Sequence, residues 1–338
     1  MRRLALAMVM WWAGCTGSAA PITRQPVDTS IDQTWGTADL RHDLEATVLE
    51  TYAQLGLGNI AAYAATLSSE LPVTLFGIEP FDVVTGKKPA GARRDRRLYP
   101  RRAISLYTKI LEVHMAPEKD LAWTYDEVSL RVPVNGEWAS IPIRISFAFV
   151  REVGRWAIVM EQRSYALPIS DILERAREGH LTAPRSIYPT APEGKAATAI
   201  RRTLDELVTG EDPERRREIL SSDEGALLVL PGIDNEYHGE AIVNAPSLSQ
   251  IFGPDSHAEI KQLRLFISDT KDAAWAAANL ELNTHAGDRA VRIGLRGTYV
   301  LMAGDGHWRV VQSHVSVPIT EKALSARVFS GAIDGDGH

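Results

Sequence analysis

Two arginines stand at matching places in this chain. Each follows an alternating apolar run, Ile141-Pro-Ile143-Arg144 and Ile293-Gly-Leu295-Arg296. A guanidinium held in a cavity clamps a carboxylate or similar anion with a planar fork. The same side chain can instead satisfy strand-edge carbonyls or pair with a carboxylate from a helix, and both readings stand at this stage. A second constellation lies near the end of the chain. Period-two alternation puts Trp308, Val310, Gln312, His314 and Ser316 on one strand face, and Trp156, Ile158, Met160, Gln162 and Ser164 on its counterpart. An apolar base with a polar tip suits a pocket floor, where His314 can bind or move a proton near neutral pH. It suits a buried hydrogen-bond network or an interface equally well. The ligand-pocket candidates are therefore Arg296, His314, Gln312, Ser316 and Tyr299, with Arg144, Gln162 and Ser164 in the earlier copy. No catalytic residue is assigned, and His314 is the candidate if there is one.

The familiar catalytic patterns are missing. There is no phosphate-binding G-x-x-x-x-G-K-[ST], no G-x-S-x-G elbow and no His pair at metal-ligand spacing, and Gly56-Leu57-Gly58 follows a helix rather than a strand. No metal and no cofactor are expected. Acid–base catalysis of the isomerase kind needs a carboxylate beside an oxyanion donor. Asp126 is the nearest strand carboxylate, its counterpart is Ala278, and no partner can be placed by motif. Trp123 and Trp275 recur at one place and read as core.

These residues are positioned by a duplication. Residues 109–164 lie on 261–316 at a constant offset of 152, without a gap, and 13 of the 56 positions are identical. Upstream, Leu67-Ser68-Ser69 falls on Leu220-Ser221-Ser222. The chain therefore divides into residues 1–20, a tether 21–40, a first unit 41–168, a connector 169–195, a second unit 196–320 and a tail 321–338. Each unit opens with helices. Asp43 to Leu55 has Val48, Leu49, Tyr52 and Leu55 at helical spacing, and Ile60–Leu67 follows Gly56 and Gly58. A short strand at 71–76 precedes four extended runs, about 105–114, 120–134, 138–151 and 155–166. Asn135-Gly136 is a preferred hairpin turn, and Gly154 and Gly306 mark the next turn in both copies. Unit two repeats the scheme with helices at 197–208 and 213–220, a strand at 226–230, and runs at about 259–268, 272–283, 289–302 and 307–317. The connector carries a short helix near 171–178, then Pro184, Pro189 and Pro192. Helices followed by antiparallel strands give an α+β class. Each unit reads as a cone-shaped half-barrel, with helices packed into the concave face of a curved sheet.

The 338 residues, 45% hydrophobic and 24% charged, have ordinary globular composition. A net charge of -6 argues against a nucleic-acid binder, and the single cysteine excludes an internal disulfide. Met1-Arg2-Arg3, an apolar run from Leu4 to Trp12 and the small residues to Ala20 read as a signal peptide. Trp12-Ala13-Gly14-Cys15 resembles the bacterial lipoprotein box, which implies lipidation of Cys15, export, and membrane contact through the anchor alone. The alternative is cleavage after Ala20 and a periplasmic or secreted protein. Arg93-Arg94-Asp95-Arg96-Arg97, with Arg101-Arg102, is the densest basic cluster, a polyanion contact or a solvated face.

The closing strand Trp308-Arg-Val-Val-Gln-Ser-His314-Val-Ser316, with Arg296 before it, resembles the ending of the nuclear transport factor 2-like superfamily, whose members often finish in Trp, then His-x-His-x-Ser. Pro231-Gly232-Ile-Asp234-Asn-Glu236-Tyr-His-Gly239 is similar to the early loop of SnoaL-like proteins. The resemblance implies the cone-shaped α+β fold, usually dimerising through its sheet, and hence a pseudo-dimer of the two units within one chain. It implies no single reaction. The expected function is a non-catalytic ligand-binding or protein-interaction module for a small apolar or anionic ligand. The alternatives are a SnoaL or ketosteroid-isomerase type enzyme with acid–base chemistry in the second unit, and a structural envelope protein. The second unit is favoured as the working one because the first lacks the histidine.

Overall fold

A computed structural model describes residues 37–86, 105–118, 120–134, 137–210 and 212–320. The signal-like segment with Cys15, the tether up to residue 36, the arginines between 93 and 102, the Asn135-Gly136 turn and the tail lie outside the described residues.

The first unit opens with α1 (Thr37–Gly56), whose buried residues Leu40, Leu44, Val48, Tyr52 and Leu55 recur every three or four positions along one face. Leu49, expected in that stripe, is half exposed. The second helix, α2 (Ile60–Thr66), starts where Asn59 accepts the Ala62 amide. Both lie on a six-stranded sheet made of β1 (Val73–Phe76), β2 (Val83–Gly86), β3 (Ser105–Met115), β4 (Leu121–Val134), β5 (Glu137–Glu152) and β6 (Arg155–Tyr165). The order is β2-β1-β6-β5-β4-β3. The four long strands form the expected antiparallel meander; β1 joins β6 in parallel, and β2, absent from the sequence reading, completes the edge.

The second unit repeats this. After α3 (Ile169–Glu178), α4 (Lys195–Thr209) and α5 (Pro213–Ile219) lie on β7 (Leu227–Val229), β8 (Glu236–His238), β9 (His257–Ile267), β10 (Ala273–Ala286), β11 (Arg289–Gly304) and β12 (His307–Ser316). Their order, β8-β7-β12-β11-β10-β9, matches the first sheet strand for strand. A 3-10 turn (Gly239–Asn244) and α6 (Leu248–Phe252), closed by a Ser247/Gln250 capping box, intervene before β9.

Three large apolar cores follow among the described residues, beside a small cluster of Tyr125, Leu227 and Val229. One lies between α1, α2 and the concave face of the first sheet, and a second lies between α4, α5, α6 and the concave face of the other. The third lies between the two outer faces, where Trp123, Ala148, Val159 and Met160 of one sheet meet Trp275, Ala277, Val300 and Val311 of the other. Both recurring tryptophans thus pack in the seam.

A bulge corrects the face assignment of the last strands. Between Val300 and Leu301 the register on β12 skips from Gln312 to Val310, leaving Val311 as an extra residue. Between Ala148 and Phe149 the register on β6 skips from Met160 to Ile158, leaving Val159 extra. Period two breaks there. Trp308 and Val310 point into the second cone, whereas Gln312, His314 and Ser316 point out of it, into the seam. Trp156 and Ile158 likewise part from Gln162 and Ser164.

Candidate functional site

The eight sequence-selected side chains divide between two places, and seven of them lie in the seam. The guanidinium of Arg296 donates to the carbonyls of Gly77 (3.1 Å), Glu79 (2.8 Å), Asp82 (3.4 Å) and Pro80, all on the β1–β2 loop of the other unit. Arg144 does the same in return, donating to Leu230 (3.4 Å), Gly232 (2.7 Å) and Ile233 on the β7–β8 loop, and pairing with the Glu236 carboxylate. Burial pulls Arg296 down to about 9, with the Asp82 charge opposing, so it stays protonated at neutral pH. Of the two sequence readings, carbonyl satisfaction is the one the geometry builds, but across the seam rather than at a strand edge.

His314 is fully buried between two serines of the first unit. Ser146 Oγ lies 2.7 Å from its Nδ1 and Ser164 Oγ lies 2.8 Å from its Nε2. At the equivalent place in the first unit, Gln162 donates to Ser316 Oγ (2.9 Å) and to the Arg296 carbonyl (3.3 Å). Gln312 donates to the Thr124 carbonyl (2.8 Å). Burial, aided by the Arg144 charge, lowers the His314 pKa to about 3, so the imidazole is neutral across the physiological range. Both its nitrogens are occupied. The void bordered by Arg144, Ser164 and Ser316 measures only about 10 Å³, the room one water needs. These residues therefore frame no ligand-sized pocket.

Tyr299, the eighth, faces the second cone. There the cavity beside Tyr299, Ser313 and Val315 measures only about 10 Å³, and Ala278 stands fully buried at the Asp126 position. A cavity of that size holds a single water, and Ala278 brings no carboxyl to it. An open groove of about 870 Å³ beside α4 and α5 carries charge, but its Arg202 and Arg215 are already paired with Glu206, and Arg215 also with Glu218.

The first cone differs. Past the bulge, Glu161 and Arg163 point inward, where the second unit has Ser313 and Val315. The Tyr63 hydroxyl donates to Glu161, and Arg163 pairs with the same carboxylate. Burial works against the Arg163 charge, but Glu161, Tyr63 and Asp82 outweigh it and push its pKa up. Asp82, on the loop nearby, is raised by burial to about 6.

Asp126 stands on the concave face of β4, 1% exposed. Its carboxyl faces the hydroxyl of Tyr52 on α1. Burial raises the Asp126 pKa to about 7; the hydroxyls of Thr108 and Tyr52 and the amides of Ile110 and Lys109 approach and moderate the rise. Burial, then the Asp126 charge, pushes Tyr52 well above its ordinary value. The interior of the first unit thus joins a carboxyl poised at neutral pH, an adjacent protonated phenol and a closed Tyr63–Glu161–Arg163 network. A carboxyl near pH 7 can give or take a proton, and a buried phenol can hold a developing oxyanion. Sequence reading singled out Asp126 but not its neighbours. The available signal was divergence between the copies at inward positions, polar in one and small or apolar in the other. Among the described residues no group of His, Cys, Asp and Glu suits a metal ion.

No curated protein matches the sequence. Among solved structures the chain is similar to a putative dehydratase of the NTF2-like family from Streptomyces avermitilis, with 10% identity and a TM-score of 0.35 over 39% of this chain and 99% of that one. It is also similar to a putative calcium/calmodulin-dependent protein kinase II association domain from Xanthomonas campestris (16% identity, TM-score 0.33, 39% of this chain and 89% of that one). Aln2 from a Streptomyces species gives 16% identity and a TM-score of 0.33 over 43% of this chain and all of that one. The family model of the SnoaL-like domain matches residues 44–168 and again 234–320, well over half of the chain, and the protein therefore belongs to the SnoaL-like domain family.

Proposed function

We propose that the first unit is a small-molecule site in which Asp126 exchanges a proton with a bound organic molecule, and that the second unit is its structural partner. One observation carries this reading: a buried carboxyl, raised to about pH 7, that faces the buried Tyr52 phenol inside the cone. Burying the Asp126 charge costs stability, and a ligand offering a donor and an acceptor would relieve it. The chemistry that fits is proton transfer at carbon next to a carbonyl, or elimination of water from a hydroxyketone. Asp126 would act as base or acid, and the Tyr52 hydroxyl would donate to the enolate oxygen.

A panel of cyclic ketones and β-hydroxyketones tests this. Each is incubated with the protein in deuterated buffer, and deuterium entry next to the carbonyl is followed by NMR. Wild type should accelerate exchange for some members, and Asp126→Asn should lose about 100-fold or more of that rate. Equal rates in the two proteins would sink the catalytic reading. Saturable binding without exchange, lost in Asp126→Asn, would leave the non-catalytic binding module.

We further propose export and anchoring through Cys15, which the basic, apolar and small-residue order of residues 1–20 supports. Labelled palmitate should enter the wild-type chain in a bacterial host and not the Cys15→Ser variant.

A further inference from the structure

The two units match in sheet order, seam contacts and arginine clamps, so a place where they differ needs a cause. One such place is the start of the first long helix. In the first unit α1 reaches back to Thr37, Leu40 is buried, and the Leu40 carbonyl accepts the indole N–H of Trp156 (3.2 Å). In the second unit Pro189 and Pro192 cannot continue a helix, and α4 begins only at Lys195. The open groove of about 870 Å³ is bordered by this shortened start, Gly194 and Lys195, and by Trp308, the counterpart of Trp156. Its volume suits a small organic molecule.

Side chains that find partners in the first unit are left open here. Thr51 donates to the Thr47 carbonyl (2.8 Å), and Arg155 donates to the carbonyls of Ala65 (2.7 Å) and Leu67 (3.2 Å). Their equivalents at the offset of 152 are Thr203 and His307. Neither these two nor Trp308 has a hydrogen-bond partner among the described residues, and all three line the groove. Thr203 and Trp308 are only 6% and 8% exposed. The groove is therefore where their hydroxyl and indole N–H can meet a partner.

The charge has changed with the shape. Where the first unit has Asp43 and Ala157, the second has Lys195 and Arg309, both exposed on the groove and neither ion-paired among the described residues. Arg202 and Arg215 are held by Glu206, and Arg215 also by Glu218, so Lys195 and Arg309 are the uncompensated cations. Gly194, at φ 117°, brings no side chain to cap the first amides of α4, which add to the positive end. The apolar surface comes from Trp308, Ala199 and Ile219. A polyanion would also meet the two glutamates. A single carboxylate on an apolar body fits both the free cations and the indole.

We propose that this groove binds a small organic acid, its carboxylate held by Lys195 and Arg309 and its apolar body resting on Trp308 and Ile219. This goes beyond the proton-transfer reading of the first unit and does not depend on Asp126. It gives the second unit a ligand of its own.

Phenylacetate and decanoate are titrated into the full chain, with phenylethanol and decanol as neutral counterparts and inorganic phosphate as a bare anion. The indole N–H signals are followed by proton–nitrogen NMR, and the Trp308 signal is the one missing from Trp308→Phe. At least one acid should move that signal saturably with a Kd below about 1 mM. Its alcohol and phosphate should bind at least about tenfold more weakly, and so should the acid to a chain carrying Lys195→Gln with Arg309→Gln. Both of those side chains are exposed, so the double variant keeps the fold. Asp126→Asn should leave the affinity within about twofold, since the two sites share no residue. A Trp308 signal that neither acid moves, equal binding of acid and alcohol, or an affinity unchanged in the double variant would overturn the proposal. So would phosphate binding alone, or an affinity lost in Asp126→Asn, which would place the acid in the first cone.

Discussion

Arg144 and Arg296 hold each other's units. They occupy equivalent strand positions, and each guanidinium caps the equivalent loop carbonyls of the opposite half: Leu230, Gly232 and Ile233 for one, Gly77, Glu79 and Pro80 for the other. Duplication explains the reciprocity, because a contact between two equal surfaces occurs twice about a two-fold axis.

Removing either arginine should therefore cost stability rather than ligand affinity. Arg296→Ala strands several buried carbonyls, each worth about 1–3 kcal/mol when unsatisfied, so urea denaturation should show a loss of about 3 kcal/mol or more. Arg296→Lys should recover only part of it, since an ammonium cannot reproduce the planar fork. A loss under about 1 kcal/mol would contradict the clamp.

Two buried groups should give opposing pH dependences. The His314 pKa is depressed to about 3, so the unfolded chain binds the extra proton between pH 3 and 6.5, and His314 makes stability rise with pH through that window. The Asp126 pKa is raised to about 7, so the folded chain holds the extra proton between pH 3.8 and 7, and Asp126 makes stability fall as pH rises through it. The slopes, each at most about 1.4 kcal/mol per pH unit, partly cancel in the wild type. Asp126→Asn should steepen the rise with pH and His314→Gln should remove it. Thermal unfolding from pH 4 to 7.5 reads both; parallel profiles for the three proteins would refute the assignment.

Above pH 7 the Asp126 carboxylate is charged and buried, and burial outweighs its hydrogen bonds, so Asp126→Asn should raise the midpoint of thermal unfolding at pH 8. The mirror change, Ala278→Asp in the second cone, should lower it by several degrees, since no room or partner awaits the charge. A functional site that carries a buried charge trades stability for activity in this manner.

The hairpin between β5 and β6 stores strain. Val153 and Gly154 both have positive φ (45° and 74°), as do Asp305 and Gly306 in the second copy (50° and 79°). A β-branched residue is costly there, whereas Asp or Asn is tolerated. Val153→Asp, copying the second unit, should stabilise the protein by about 0.5–1 kcal/mol in chemical denaturation.

The sequence by itself determined the duplication, the α+β class, the long strands to within a few residues, and the recurrence of Arg144 with Arg296 and of Trp123 with Trp275. Those features are local or repeated, so periodicity and self-comparison reveal them. It did not determine which way the closing strands face. One extra residue at Val159 and Val311 inverts every side chain beyond it, and a bulge exists only in relation to the neighbouring strand. Tertiary structure alone therefore decided that Gln312, His314 and Ser316 belong to the seam and that Glu161 and Arg163 belong to the cone. It also decided that the carboxyl of Asp126 meets Tyr52, because those residues are 74 positions apart in the chain and only helix-on-sheet packing brings them together.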